Sequence, residues 1–348
     1  MKKVLAIVLA LMLVFSATAA LAAEYEIVSK GFQHQYWQAV LAGAQEKAAE
    51  LGVEINFVGP ANESAYDEQL SQLNSAINAK PKAIGLAALS TETCLDAIKE
   101  CQEAGVPIIG FDSGVPGAPE GAILANCATN NYNAGALAAE MIWEAIKDRV
   151  AAADGAVRIG VSAQDAVSES VTQRGLGFID KIGELAAAEG YGVKLEGNEK
   201  YVNDAKVEQA DDAKIIIETL VPSQVTAELS AIDCQNLLNK SDIIALYGSN
   251  QHSAEAMVTA NENLQKLGTG EGQVVGAGFD SGAVIKAAVK DGTFLGAITQ
   301  APFAMGAALV DTMVKAANGE AVEDVDTGCQ WYTAENMNDD DIAINLYD

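Results

Sequence analysis

The chain is short of positive charge, and that shortage excludes the first class of partner. Lys and Arg number 21 against 48 Asp and Glu, a formal charge of −27 over 348 residues. Nucleic-acid binding needs basic side chains to neutralise phosphates, so no nucleic-acid role is expected. The same field disfavours anionic ligands and points to a neutral small molecule. Metal chemistry has as little to work with. The two histidines, His34 and His252, are not spaced as metal ligands with any cysteine, and the five cysteines contain no C-x-x-C. Cys94 and Cys101 stand seven apart on a predicted helix, about 10 Å along its axis, which is too far for a disulfide. An odd number of cysteines leaves at least one free thiol, and most read as small buried hydrophobes. No Walker A, H-E-x-x-H, G-x-S-x-G or EF-hand loop occurs. The run Gly276-x-Gly278-x-x-x-Gly282 fails as a dinucleotide fingerprint, because its third glycine is one place late and Asp280 would repel a pyrophosphate. No cofactor and no metal are therefore expected. Linkers rich in Pro, Gly or Ser are also missing, so any two domains must be joined by strands or short crossings rather than by a tether.

One apolar run is long, Val4 to Phe15, and it is too short for a comfortable membrane span. Lys2-Lys3 precedes it, and small residues follow to Ala23 with an A-x-A pattern at Ala20-Leu21-Ala22. Residues 1–23 thus read as a signal peptide cleaved near Ala22 or Ala23. The loss of two lysines takes the charge from −27 to −29. The mature protein is expected to be exported, periplasmic or extracellular.

What is present is a repeat. Gly110-Phe111-Asp112-Ser113-Gly114 returns letter for letter as Gly278-Phe279-Asp280-Ser281-Gly282. Each copy follows a short apolar run of the kind that forms a buried strand ending in a loop. Asp and Gly are common turn residues, but a five-residue identity in matching contexts goes beyond turn chemistry. In open α/β sheets, ligands bind outside the carboxyl ends of the strands. The repeat therefore puts one carboxylate at a strand end in each half of the chain. The rest agrees: strands alternate with helices from Glu26 to Arg149, and the alternation restarts at Ala156, which predicts parallel sheets with right-handed crossovers. Residues 190–214 break the rhythm and read as an insertion, a surface hairpin. Residues 327–332 read as one last strand, and Asp339-Asp340-Asp341 as a solvated tail.

With these residues placed, the mature chain resembles the periplasmic sugar-binding proteins of ABC transporters, of the ribose/galactose cluster of type I periplasmic binding proteins. The resemblance rests on the aromatic loop after the first strand, Val106 to Asp112, Gln173-Arg174-Gly175-Leu176-Gly177-Phe178, Gly248-Ser249-Asn250, Val275 to Asp280, and Thr299-Gln300-Ala301-Pro302. It implies an α/β fold of two Rossmann-like lobes joined by a three-crossing hinge near Thr129, Gln300 and Asp326. The lobes would be residues 24–129 plus 301–326 and residues 130–300 plus 327–348. It also implies a monomer that captures a monosaccharide or polyol and delivers it to an ABC permease, or presents it to a chemoreceptor. Two features depart from the family pattern. Phe32 to Trp37 replaces the usual Asn and Phe, and Ser113 stands where ribose binders carry Arg.

A sugar offers hydroxyls at fixed angles and apolar C–H faces, so its site needs charge-assisted hydrogen bonds and a flat aromatic surface. Asp112 and Asp280 would accept from hydroxyl pairs, and Arg174 would donate through its planar fork. An arginine two turns into a helix is ordinarily a surface residue, and only the resemblance puts Arg174 in the cleft. Asn250 and Gln300, at strand ends, carry both donors and acceptors, although turn or hinge chemistry would explain them too. Trp37 and Tyr36 are the stacking candidates. Neighbours on a helix do not share a face, so one should meet the sugar, with Trp37 favoured. His34, Gln35 and Ser113 complete the set. An enzyme reading, a glycoside hydrolase using Asp112 and Asp280 as acid and base, has no support from surroundings that would raise one carboxyl's pKa.

Overall fold

A computed structural model describes residues 23–348, so the expected signal segment, Ala23 apart, lies outside the described residues. The chain first builds β1 (Tyr25–Val28), α1 (Gln35–Leu51), β2 (Ile55–Val58), α2 (Tyr66–Ala79), β3 (Ala83–Leu86), α3 (Leu95–Glu103), β4 (Ile108–Phe111) and β5 (Ile123–Ala128). It continues with α4 (Asn131–Ala152), β6 (Val157–Ser162), α5 (Glu169–Ala188), β7 (Val193–Gly197), α6 (Glu199–Asp204), β8 (Ile215–Leu220), α7 (Ala227–Leu238), β9 (Ile243–Gly248), α8 (Gln251–Leu264), β10 (Val275–Phe279), α9 (Ala283–Lys290) and β11 (Phe294–Gln300). It closes with α10 (Pro302–Ala317), β12 (Val325–Asp326), β13 (Cys329–Tyr332) and α11 (Asp340–Ala343).

These strands form two sheets, in the orders β12-β5-β4-β3-β1-β2 and β13-β11-β10-β9-β6-β8-β7. All pairs are parallel except β11 with β13. Helices cover both faces, so the central strands β3, β4, β6 and β9 are buried along their whole length and read as continuous apolar runs rather than alternating ones. The chain passes between the sheets three times: from β5 to α4, from β11 to α10, and from β12 to β13. The result is two α/β lobes. No helix among the described residues is long and apolar enough to cross a membrane.

One packing device recurs in both lobes. In the first, α1 and α10 approach so closely that a Cβ on Gly43 would fall 1.9 Å from the Phe303 carbonyl oxygen, and one on Gly306 would fall 1.9 Å from that of Val40. In the second, α4 and α5 repeat the exchange: Gly135 faces the Arg174 carbonyl and Gly177 that of Tyr132, each at 2.0 Å. No rotamer relieves a clash with backbone, so both crossings require glycine. The second crossing also fixes the backbone of Arg174.

Two expectations need correction, and a third holds only in part. Residues 190–214 are not a hairpin. They supply β7, which pairs in parallel with β8 from Val193↔Ile215 to Gly197↔Thr219, and the short α6. As an edge strand β7 buries only alternate residues, Val193 and Leu195, which hid it among charged neighbours. Tyr201 on α6 is fully buried, and its hydroxyl donates to the Asp165 carbonyl at 3.0 Å. The expected last strand is two strands in different sheets, because the chain crosses at Thr327-Gly328, where Gly328 takes φ 78°. Asp339, Asp340 and Asp341 are exposed, as expected of a solvated run, but the residues that follow pack down. Ile342 is buried, and Tyr347 packs edge-on against Tyr36 with its hydroxyl donating to Gln251 Oε1 at 3.0 Å.

All five cysteines are free thiols. Burial pushes Cys94, Cys101 and Cys127 up to about 11 and Cys234 up to about 12, while Cys329 is half-buried. Burial raises the Cys329 thiol as well, so partial exposure alone sets it apart, and the native protein should react with Ellman's reagent only slowly and only at Cys329, and at all five in denaturant. Rapid native labelling of Cys234 would contradict this packing. Gly135→Val should cost about 1–3 kcal/mol in urea unfolding, the range for overpacking. Gly155→Ala, where an added Cβ meets nothing within 4 Å, should stay within about 0.5 kcal/mol of wild type.

Candidate ligand-binding site

Asp112 and Asp280 follow the last residues of β4 and β10, and both adopt the left-handed conformation, with φ of 58° and 70°. Asp tolerates that region better than most residues, but it is strained, and the strain recurs at two equivalent strand ends. The two loops are built alike. The Asp112 amide donates to the Cys127 carbonyl on β5, and the Asp280 amide to the Ile298 carbonyl on β11. Both side chains line one cavity of about 590 Å³.

Each carboxylate has a buried cation. Lys30, just past β1, lies 3.2 Å from Asp112 Oδ2. Its other two donors reach Ser168 Oγ at 3.2 Å and Ser170 Oγ at 3.1 Å, on the far side of the cleft. Burial works to lower the Lys30 pKa, and Asp112 and Glu63 outweigh it, so the ammonium stays charged. The Arg174 guanidinium stacks over the Phe279 ring at 3.9 Å, donates from Nε to Asn131 Oδ1 at 2.8 Å, and lies 3.7 Å from Asp280 Oδ2. Burial pushes the Asp280 carboxyl up, against Arg174 and Gln300, which pull it down. Gln300 Nε2 donates to Asp280 Oδ1 at 2.6 Å. The carbonyl oxygen of the same Gln300 side chain is buried with no partner among the described residues. An unpaired buried acceptor costs about 1–3 kcal/mol, so this atom awaits a donor.

The aromatic wall comes from the start of α1. His34 caps it, its Nδ1 accepting from the Tyr36 amide at 3.2 Å. Tyr36 donates its hydroxyl to Asp112 Oδ1 at 2.8 Å; burial and the two carboxylates raise its pKa well above the usual value, so it remains a donor. Trp37 stands edge-on to Tyr36 at 4.9 Å and donates from Nε1 to Glu63 at 2.9 Å. Both rings line the cavity, whereas only one was expected to. Side chains in the first turn lean back toward the helix N-terminus, over the strand end, so adjacent rings can reach the same space there.

On the opposite side, Asn250 caps α8 through Oδ1 and donates from Nδ2 to Gln164 Oε1 at 2.8 Å. The cavity thus gathers His34, Tyr36, Trp37, Asp112, Arg174, Asn250, Asp280 and Gln300. Two expected residues stand outside it. Gln35 is exposed on the outer side of α1. Ser113 is buried in the seam between the lobes, where its Oγ accepts from the Ser170 amide at 3.2 Å; the Gly114 amide bonds Glu169 beside it. Lys30, Glu63 and Gln164 are among the cavity residues that were not anticipated. Among the described residues no group of three or more His, Cys, Asp or Glu is placed to hold a metal ion.

Residues 25–321 match the periplasmic binding protein domain family, and the chain belongs to it. Its relatives bind and carry solutes. The D-allose-binding periplasmic protein of Escherichia coli (strain K12) is 24% identical over 334 residues, 93% of this chain and 94% of that protein. A Brachyspira murdochii structure described as an ABC transporter, LacI family transcriptional regulator is 33% identical, with TM-score 0.79, and covers 94% of this chain and 99% of its own. An Agrobacterium vitis ABC transporter solute-binding protein with bound D-fucose is 26% identical, with TM-score 0.77, and covers 93% and 99%.

Trp143 is buried in the core of the second lobe and Trp331 lies on β13; neither lines the cavity. Among single-tryptophan variants, the one retaining Trp37 should show the largest emission change on ligand addition. A larger response from Trp331 would remove Trp37 from the site.

Proposed function

We propose that the chain is an exported solute-binding protein that closes its two lobes around a neutral monosaccharide or related polyol and passes it to an ABC permease. The observation that carries this is the pair of left-handed aspartates at equivalent strand ends, facing one cavity beside an unpartnered Gln300 oxygen. Ionised carboxylates accept from sugar hydroxyls, Arg174 and Asn250 donate, and the Tyr36 and Trp37 rings supply apolar surface. Relatives at about this level of identity support the ligand class: one is D-allose-binding, one holds D-fucose, and an Agrobacterium radiobacter protein 25% identical holds D-arabinose. The family is one of binding proteins, which sets the glycoside hydrolase reading aside.

In this reading residues 1–23 direct export and are removed. Residues 24–129 with 301–326 form one lobe and residues 130–300 with 327–348 the other, and the mature protein works as a monomer. Closure is a population shift. A sugar favours the closed form only by its extra affinity for it, and that extra affinity arises when Asp112 and Asp280 act on the same molecule. The closed surface is what a permease, or a chemoreceptor, recognises.

The test is a thermal-shift screen of residues 24–348 against D-allose, D-fucose, D-arabinose, other pentoses and hexoses, deoxysugars and polyols, repeated after unfolding and refolding to remove any copurified ligand. Binding to the folded state raises the melting temperature by mass action. One or a few strong stabilisers are expected, and a flat panel after refolding would overturn the reading. Asp280→Ala should weaken the best ligand by about 2–4 kcal/mol, because a hydroxyl and Arg174 both lose a buried charged partner. Unchanged affinity would show that the ligand sits elsewhere.

A further inference from the structure

The cavity has room beyond the single sugar ring just proposed. A hexose has about 12 non-hydrogen atoms, and even at the looseness of liquid water, about 30 Å³ per molecule, it would fill no more than about 360 Å³. The cavity holds about 590 Å³ and is open to solvent at its mouth. This is the volume with the lobes in contact, since Lys30, Ser113 and Gly114 already bond Ser168, Ser170 and Glu169 across the seam.

The cavity lining divides by depth. Lys30, Asp112, Arg174, Asp280 and Gln300, at the inner end, are each under 8% exposed. Toward the mouth stand Phe32, Asn62 and Ser64, which are exposed, and Val225, His252 and Glu255, which are half-buried. The outer end is chemically complete. Phe32 offers a ring that is 36% exposed, and Val225 an apolar patch from the opposite lobe. The amide, hydroxyl and carboxylate there supply donors and acceptors. The charges are also divided. Both Lys30 and Arg174 sit at the inner end beside aspartates, with Glu63 near enough to Lys30 to help hold it charged, while Glu255 at the outer end takes a hydrogen bond from Gln251 and forms no salt bridge among the described residues.

We infer that the outer end is a second subsite and that the physiological ligand is a disaccharide or a glycoside with an extended aglycone. One ring lies between Asp112 and Asp280. The second unit, neutral or amine-bearing but not anionic, lies against Phe32 and Val225, with Glu255 among its acceptors. This rests on the sugar-binding reading of the inner site. It extends that reading from one ring to two units.

The experiment is a capture without a chosen sugar. Refolded residues 24–348 are incubated with a partial acid hydrolysate of mixed plant polysaccharides that contains monosaccharides, disaccharides and uronic acids, and bound species are weighed by native mass spectrometry. Neutral species heavier than one monosaccharide should be retained over monosaccharides by about tenfold or more, a modest return for a second unit's atoms, and uronate-containing species should be excluded. The Ser64→Trp variant, which fills the mouth from an exposed position, should abolish retention of the heavier species. Retention of single monosaccharides in equal or greater amount would overturn the subsite and leave the sugar-binding reading standing. Insensitivity of heavier species to Ser64→Trp would also overturn it. Retention of nothing would instead remove the sugar-binding reading on which it rests.

Discussion

Four ionisable side chains are buried side by side in this cleft, and the fold is arranged to hold them. Asp112 and Asp280 sit on strained left-handed backbone, Lys30 and Arg174 lie beside them, and all four are nearly without solvent. Taking such groups out of water costs several kcal/mol each, and mutual attraction between them at best offsets that. Stability therefore does not explain them. They persist because the two sheets end at the same place, and because each loop is fixed by an amide bonded to the neighbouring strand. A ligand able to donate to both carboxylates at once finds its acceptors already oriented and desolvated.

The two lobes reach this arrangement by the same construction. A reciprocal glycine pair locks two helices in each, and in the second lobe that crossing carries the backbone of Arg174. The edge unit of β7 and α6, which has no role in the cleft, supports it from behind: Tyr201 packs beneath Gly175 and holds the Asp165 carbonyl. Asp165 in turn accepts from the amides of Val167 and Ser168, which sets the segment that Lys30 grips from the other lobe. The C-terminal Tyr347 closes the circuit, touching Tyr36 of one lobe and Gln251 of the other.

Features that depend on local pattern were legible in the sequence. The buried strands announce themselves as apolar runs, and the repeat around Asp112 and Asp280 names the two carboxylates and their equivalence. What escaped was decided by tertiary neighbours. Lys30 follows a buried strand, and a lysine is ordinarily a surface residue; only the opposing serines and Asp112 make it a buried one. Glu63 lies in a polar loop that reads as the approach to α2, and nothing local says that Trp37 will bond it. Gln35 was grouped with its aromatic neighbours by adjacency, but the helix turns it outward. Ser113 was placed in the cleft by analogy with an arginine, and its short side chain instead reaches the seam. The 190–214 segment was misread because an edge strand with one polar face lacks the continuous apolar run of its neighbours.

The dependence of each lobe on the other is open to direct measurement by a double-mutant cycle. Titration calorimetry of the best-binding sugar would be carried out on wild type, Asp112→Asn, Asp280→Asn and the double variant. Asparagine keeps the left-handed turn and removes the charge. If the ligand is clamped by both lobes at once, losing either carboxylate already forfeits much of what closure gains, so the double variant should fall short of the summed single losses by about 0.5–3 kcal/mol. Losses that add within about 0.5 kcal/mol would mean that the two aspartates act independently, and that closure around a shared ligand is not how this protein binds.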